Sequence, residues 1–104
     1  MKRFRFRLEK VLDARLAIER EAKRKLGEAL QILEAEEQKK KEILAELSFV
    51  RNQQRDLLAG GVTAGAAMQY HRWYQTLSKE LRIQEDKRRE AEKQVIIKRA
   101  ELLN

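Results

Sequence analysis

The stretch Ala59-Gly60-Gly61-Val62-Thr63-Ala64-Gly65 decides how this chain folds, because it gathers three of the four glycines in 104 residues that contain no proline. Glycine and proline are the strongest local breakers of regular structure, so nearly all the rest of the chain is free to be helical. Paired glycines accept the positive φ that ends a helix, and Thr63 is a residue type that caps the next one. The reading is therefore helix, reversal, helix, with helix 1 over about 3–58, a hinge over 59–63 and helix 2 over about 64–103, forming one domain over 1–104.

Outward from the hinge, both arms carry a seven-residue repeat. In the first arm Leu8, Arg15, Ala22, Ala29, Glu36, Ile43, Val50 and Leu57 recur every seven, and Leu12, Glu19, Leu26, Leu33, Lys40, Leu47 and Gln54 fall four places after each. Alternating spacings of three and four put them all on one seam, the pattern of a coiled coil. The second arm repeats it with Tyr70, Leu77, Gln84, Ala91 and Lys98 in one register and Tyr74, Leu81, Arg88, Val95 and Leu102 in the other. A short connection makes neighbouring long helices antiparallel. The expected fold is all-α, an antiparallel two-helix coiled-coil hairpin. At 1.5 Å per residue the arms are roughly 80 and roughly 60 Å long, so the first turns of helix 1 outrun their partner.

Reversal at Gly60 and Gly61 pairs residues whose numbers sum to about 122. This brings Glu36, Lys40, Gln84 and Arg88 to one level, a polar layer that would fix the register at some cost in stability. A solvated Glu36–Lys40 pair along one helix is the plainer alternative.

The composition, 39% charged and 42% hydrophobic, suits a long solvent-laced helix better than a wide core. A chain this small buries little more than a narrow seam unless a partner covers it. There is no cysteine, which removes disulfides and thiolate chemistry and fits a reducing cytoplasm. No run approaches the ~18 apolar residues of a membrane span, and the opening Met1-Lys2-Arg3-Phe4-Arg5-Phe6-Arg7 has no apolar stretch behind it to act as a signal peptide, so a soluble chain is expected. The net charge of +7 is uneven: residues 1–25 carry +6, residues 26–58 carry −2 and the remainder +3.

No catalytic centre, cofactor site or metal site is expected. His71 is the sole histidine, and one imidazole with carboxylates is a poor zinc site. Glutamates recur at helical spacing to cations, as Glu21 to Lys25, Glu37 to Lys41 and Glu85 to Arg89, which supports exposed helix and not acid–base work. The glycine-rich turn lacks the Gly-Lys-Ser/Thr ending of a phosphate loop and follows a helix. Tyr70-His71-Arg72-Trp73-Tyr74 gathers three of the six aromatics just past the hinge. Tyr70 and Tyr74 fall on the seam; Trp73 falls on its flank, where it either forms an interface hot spot or closes the hinge end of the core. Ile96 and Ile97 also lie off the seam, and would be exposed in an isolated hairpin.

The opening Phe4-Arg5-Phe6-Arg7-Leu8-Glu9-Lys10-Val11-Leu12-Asp13-Ala14-Arg15, followed by Glu19-Arg20-Glu21-Ala22-Lys23-Arg24, resembles that of the FliJ family of flagellar export proteins. The glycine hinge, Tyr70, Trp73-Tyr74-Gln75-Thr76-Leu77 and a charged helix anchored by Gln84 follow the family's order and spacing. The resemblance spans nearly the whole chain. It implies a two-helix hairpin like the rotor stalk of F-type ATPases, a cytoplasmic protein peripheral to the flagellar type III export apparatus, whose terminal end enters the hexameric export ATPase. Arg3, Arg5, Arg7, Lys10 and Arg15 are then the docking residues, by charge and position. It also implies docking on the cytoplasmic part of the membrane-embedded export gate and handling of export chaperones through the second helix, with Trp73, Leu77 and Gln84 as candidates. Glu80 departs from the small residue expected among them. The chain stops at Leu102-Leu103-Asn104 with no C-cap glycine, and the second helix is expected to be short of the family's usual length.

Two other classes stand beside the stalk: a basic coiled coil that binds nucleic acid, and a structural rod that dimerises through its uncovered seam. The acidic balance of residues 26–58 opposes the first, because it repels phosphate. The aromatic cluster opposes the second, being richer than a spacer needs. No nucleic-acid partner is expected; a homodimer is an option for the isolated chain.

Overall fold

The computed structural model describes residues 2–61 and 63–103; Val62, within the expected hinge, and Met1 and Asn104, in the quoted termini, lie outside the described residues. The chain is two helices, α1 (Lys2–Ala59) and α2 (Ala64–Leu103), and it has the expected fold class, an antiparallel coiled-coil hairpin.

The reversal follows from glycine chemistry. The Gly60 amide donates to the carbonyls of Asp56 and Leu57, both at 3.1 Å, and the Gly61 amide donates to Leu58 at 3.5 Å. These bonds satisfy carbonyls that the end of α1 leaves without an intrahelical donor. Gly61 has φ of 75°, the left-handed region where a side chain costs about 1–2 kcal/mol. On the other side the Thr63 carbonyl accepts from the Ala67 amide at 3.3 Å and starts the hydrogen-bond ladder of α2.

Two compact units make up the hairpin. The first comprises the chain up to Leu33 together with the chain from Ala91 onward. Its seam is Ala22, Leu26, Ala29 and Leu33 of α1 against Ala91, Val95, Lys98 and Leu102 of α2, all buried or half-buried. Every described residue from 2 to 21 is exposed, including the seam positions Leu8, Leu12, Arg15 and Glu19. The second unit, Glu34–Glu90, holds Glu36, Lys40, Ile43, Leu47, Val50, Gln54 and Leu57 against Ala67, Tyr70, Tyr74, Leu77, Leu81, Gln84 and Arg88. In both units burial alternates at three and four residues, as the heptad pattern requires. Cross-helix contacts in the second unit join Glu36 to Gln84, Phe49 to Trp73, Lys40 to Glu85 and Arg51 to Tyr74, residue numbers that sum to between 120 and 125.

Gly27 differs from the hinge glycines. It sits inside α1, exposed, and a Cβ added there would meet nothing within 4 Å. Gly27→Ala is therefore expected to raise stability by about 0.5–1 kcal/mol through helix propensity, read as a higher thermal midpoint. An unchanged or lower midpoint would show that this turn of α1 is not helical in solution.

Candidate functional site

Among the described residues, every one in the amino-terminal turns of α1, from 2 to 21, is exposed. Arg3, Arg5, Arg7, Lys10 and Arg15 are all exposed there, together with Phe4, Leu8, Val11, Leu12, Leu16 and Ile18. Among the described residues none of these five cations has a carboxylate within ion-pair distance; Lys10 lies over the Phe6 ring, 4.7 Å from its centre. Charge is first compensated further along, where Lys23 pairs with Glu19 at 3.1 Å and Arg24 bridges Glu21 and Glu28. Arg24 holds the Glu21 carboxyl below the usual carboxylate range. The expected Glu21–Lys25 pairing thus goes to Arg24, and Glu37 and Lys41 do not pair among the described residues.

The second unit carries a polar layer across the seam. The Gln84 side-chain amide donates to the Glu36 backbone carbonyl at 2.9 Å and to the Glu36 carboxylate. Lys40 and Arg88 come to the same level but do not reach Glu36; both bind Glu85, Lys40 at 2.8 Å and Arg88 through Nη2 at 2.9 Å and Nε at 3.1 Å. Arg89 approaches the same carboxylate at 3.4 Å. Hydrogen bonds from Arg88 and then Lys40 hold the Glu85 carboxyl down at about 2. Glu85 lies beside the seam and not on it, so the heptad register does not single it out. Its spacing to Arg89, and pairing arithmetic that brings it within one helical turn of the Lys40 level, were the available signals. No buried side-chain nitrogen or oxygen among the described residues lacks a partner.

Two expected results follow. A carboxyl whose folded value is depressed stabilises the fold above its unfolded value near 4.5, and that contribution disappears as pH falls through about 2. The thermal midpoint should therefore drop between pH 4.5 and 2, and Glu85→Gln should flatten the drop; an unaltered profile in the variant would remove Glu85 from the account. Second, we propose that the polar layer of Glu36, Lys40, Gln84 and Arg88 fixes the register. A Glu36→Leu, Lys40→Leu chain should melt higher yet pair less uniquely, as broadened spectra or mixed oligomers would report. Retained unique pairing sinks that role.

Next to the hinge, Trp73 meets Phe49 edge-on with ring centres 6.3 Å apart, and Tyr70 at 6.1 Å. Trp73 is 41% exposed, a half-covered indole of the kind that anchors interfaces. Leu77 and Gln84, the other docking candidates, are 3% and 5% exposed; both are locked in the seam and offer no surface. The surface patch is instead Trp73 with Phe49, which lies off the α1 seam and becomes a neighbour only through the register. His71 is exposed, and among the described residues no three acidic or histidine side chains cluster to hold a metal ion. No helix among them is long and apolar enough to cross a membrane.

Comparison with curated proteins gives no match, and neither does comparison with solved structures. The sequence does match a protein family, described as flagellar FliJ protein, over residues 4–104. Because that match covers the hairpin from its basic first turns through the aromatic patch to the end of α2, the chain belongs to the flagellar FliJ family, whose members are components of the flagellar export apparatus.

Proposed function

We propose that the chain is the central stalk and adaptor of the hexameric flagellar export ATPase, linking it to the cytoplasmic part of the export gate and to export chaperones, in the cytoplasm at the base of the export apparatus. The observation that carries this reading is the bare basic helix of residues 2–21. A helix with exposed Leu8, Leu12 and Ile18 and unpaired Arg3, Arg5, Arg7, Lys10 and Arg15 is incomplete alone. It fits an acidic socket with apolar walls, since desolvated apolar contact holds such a helix and opposite charge steers it in. A ring of ATPase subunits around a central hole has the geometry to enclose a helix on all sides.

The aromatic patch supports the second attachment. Trp73 with Phe49 presents a rigid apolar surface in the second unit, while Leu77, one turn further along α2, and Gln84, about three turns further, fix that helix in the seam. The stalk and the patch thereby divide the labour between a charged end and an aromatic one.

The direct test is to add the chain to the purified export ATPase. Hexamer formation and ATP hydrolysis should both rise, and a DNA duplex in excess should not compete. An ATPase indifferent to the chain, or displacement of the chain by DNA, would remove the stalk reading and favour the basic nucleic-acid rod.

A further inference from the structure

The face of the second unit away from Trp73 is a groove that the functions above leave unused. Residues flanking a coiled-coil seam fall on two sides. Phe49 and Trp73 occupy one; Leu44, Arg51 and Glu85 occupy the other. On that other side lie three adjoining cavities of about 470, 340 and 290 Å³. Lys40 borders the first two, Leu44 the second and third, and Leu81 the third and first, so they form one continuous depression.

Its floor is aliphatic and aromatic: Leu44, which is 43% exposed, with Leu47, Tyr74 and Leu81 half-buried around it. Its walls are cationic. Six cations border it against the three carboxylates Glu37, Glu85 and Asp86, and Glu85 is already engaged by Lys40, Arg88 and Arg89. Lys41, Arg51 and Arg82 have no carboxylate partner among the described residues; the Arg51 guanidinium lies 5.5 Å from the centre of the Tyr74 ring. Residues 40 to 51 of α1 span roughly 16 Å, about three helical turns.

From this we infer that the groove is a docking site for a third helix, an acidic amphipathic segment of a protein partner that lays one leucine or isoleucine stripe on Leu44 and Leu81 and sets glutamates or aspartates against Lys41, Arg51 and Arg82. Two seam-paired helices with an apolar furrow between them are the receiving half of a helix-in-groove contact. The charge decides the occupant. A second copy of this chain meeting face to face would set the same cationic walls against each other, because a two-fold contact presents one patch to itself. The site is separate from both the basic end and Trp73, and does not depend on the stalk reading.

The probe is a labelled synthetic peptide of three heptads with leucine at both seam positions and glutamate at the flanking ones. It should bind the full chain saturably by fluorescence anisotropy. Leu44→Glu, at an exposed position, should weaken binding at least about tenfold with the melting curve retained. Arg51→Glu with Arg82→Glu should do the same, and that double variant should instead take up a peptide in which lysines replace the glutamates. Trp73→Ala should leave binding within about twofold, since its ring lies on the other side. The inference is overturned if Leu44→Glu binds normally, if the lysine peptide binds the unaltered chain as well as the glutamate peptide does, or if sedimentation shows a dimer of the chain that Leu44→Glu dissolves, which would make the occupant a second copy.

Discussion

Val50→Asp should unfold the hairpin, or nearly so. Val50 has no exposed surface and is the most enclosed side chain of the seam, held between Leu47 and Gln54 on α1 at the level of Trp73 and Tyr74 on α2. A carboxylate there would be buried without a built partner, because Arg51 next to it faces the Tyr74 ring in the groove. Leaving a charge uncompensated in an interior costs about 3–5 kcal/mol. A two-helix seam has little to set against that loss, since domains of ordinary size are stable by only about 5–15 kcal/mol. Val50→Ala should cost less, about 2 kcal/mol, because it removes two buried carbons and adds no charge. Ile32→Asp is the contrast: the side chain is more than half exposed, and its change should stay within about 0.5 kcal/mol. Circular dichroism at 222 nm during heating reads all three. If Val50→Asp melts like the parent, something other than the seam holds the helices together.

That contrast marks what could be read from the residues alone. The seam was legible because burial follows apolar spacing, and it is realised at every heptad position from Ala22 to Leu57 and from Tyr70 to Leu102. The reversal was legible because Gly61 adopts a backbone angle that other residues resist. The uncovered first turns followed from the unequal lengths of the arms. Side-by-side chemistry was harder to see. Glu85 and Phe49 sit off the seam, and nothing in a one-dimensional repeat says that one will collect Lys40 and Arg88 while the other meets Trp73. Leu77 and Gln84 show the reverse difficulty. Family resemblance suggested them as docking residues while the heptad put them inside, and packing decides, because a side chain that fills the seam has no surface left for a partner. The groove around Leu44 needs both helices in place before it exists.

Reversing Arg3, Arg5 and Arg7 to glutamate should abolish stimulation of the export ATPase while leaving the hairpin folded. The three side chains are exposed, as is every described residue of α1 from 2 to 21, so no buried contact among the described residues is lost. The first turn of α1 contains no acidic residue, and glutamate there suits the positive end of the helix dipole, so the helix should hold its start at least as firmly as before. Only the field changes. Three reversals remove six units of charge and take residues 1–25 from +6 to neutral. Attraction to an acidic socket then vanishes beyond contact range, and what remains of the apolar stripe at Leu8, Leu12 and Ile18 must find its place without steering. Raising salt on the parent chain should imitate part of the loss, because the screening length falls from about 10 Å at 0.1 M to about 3 Å at 1 M. Trp73→Ala should behave in the opposite sense, with full stimulation and weakened binding to the gate. Equal losses from the two variants in the two assays would mean that the ends of the hairpin are not separate attachments, and a triple reversal that stimulates normally would mean that the bare helix is not the part the ATPase grips.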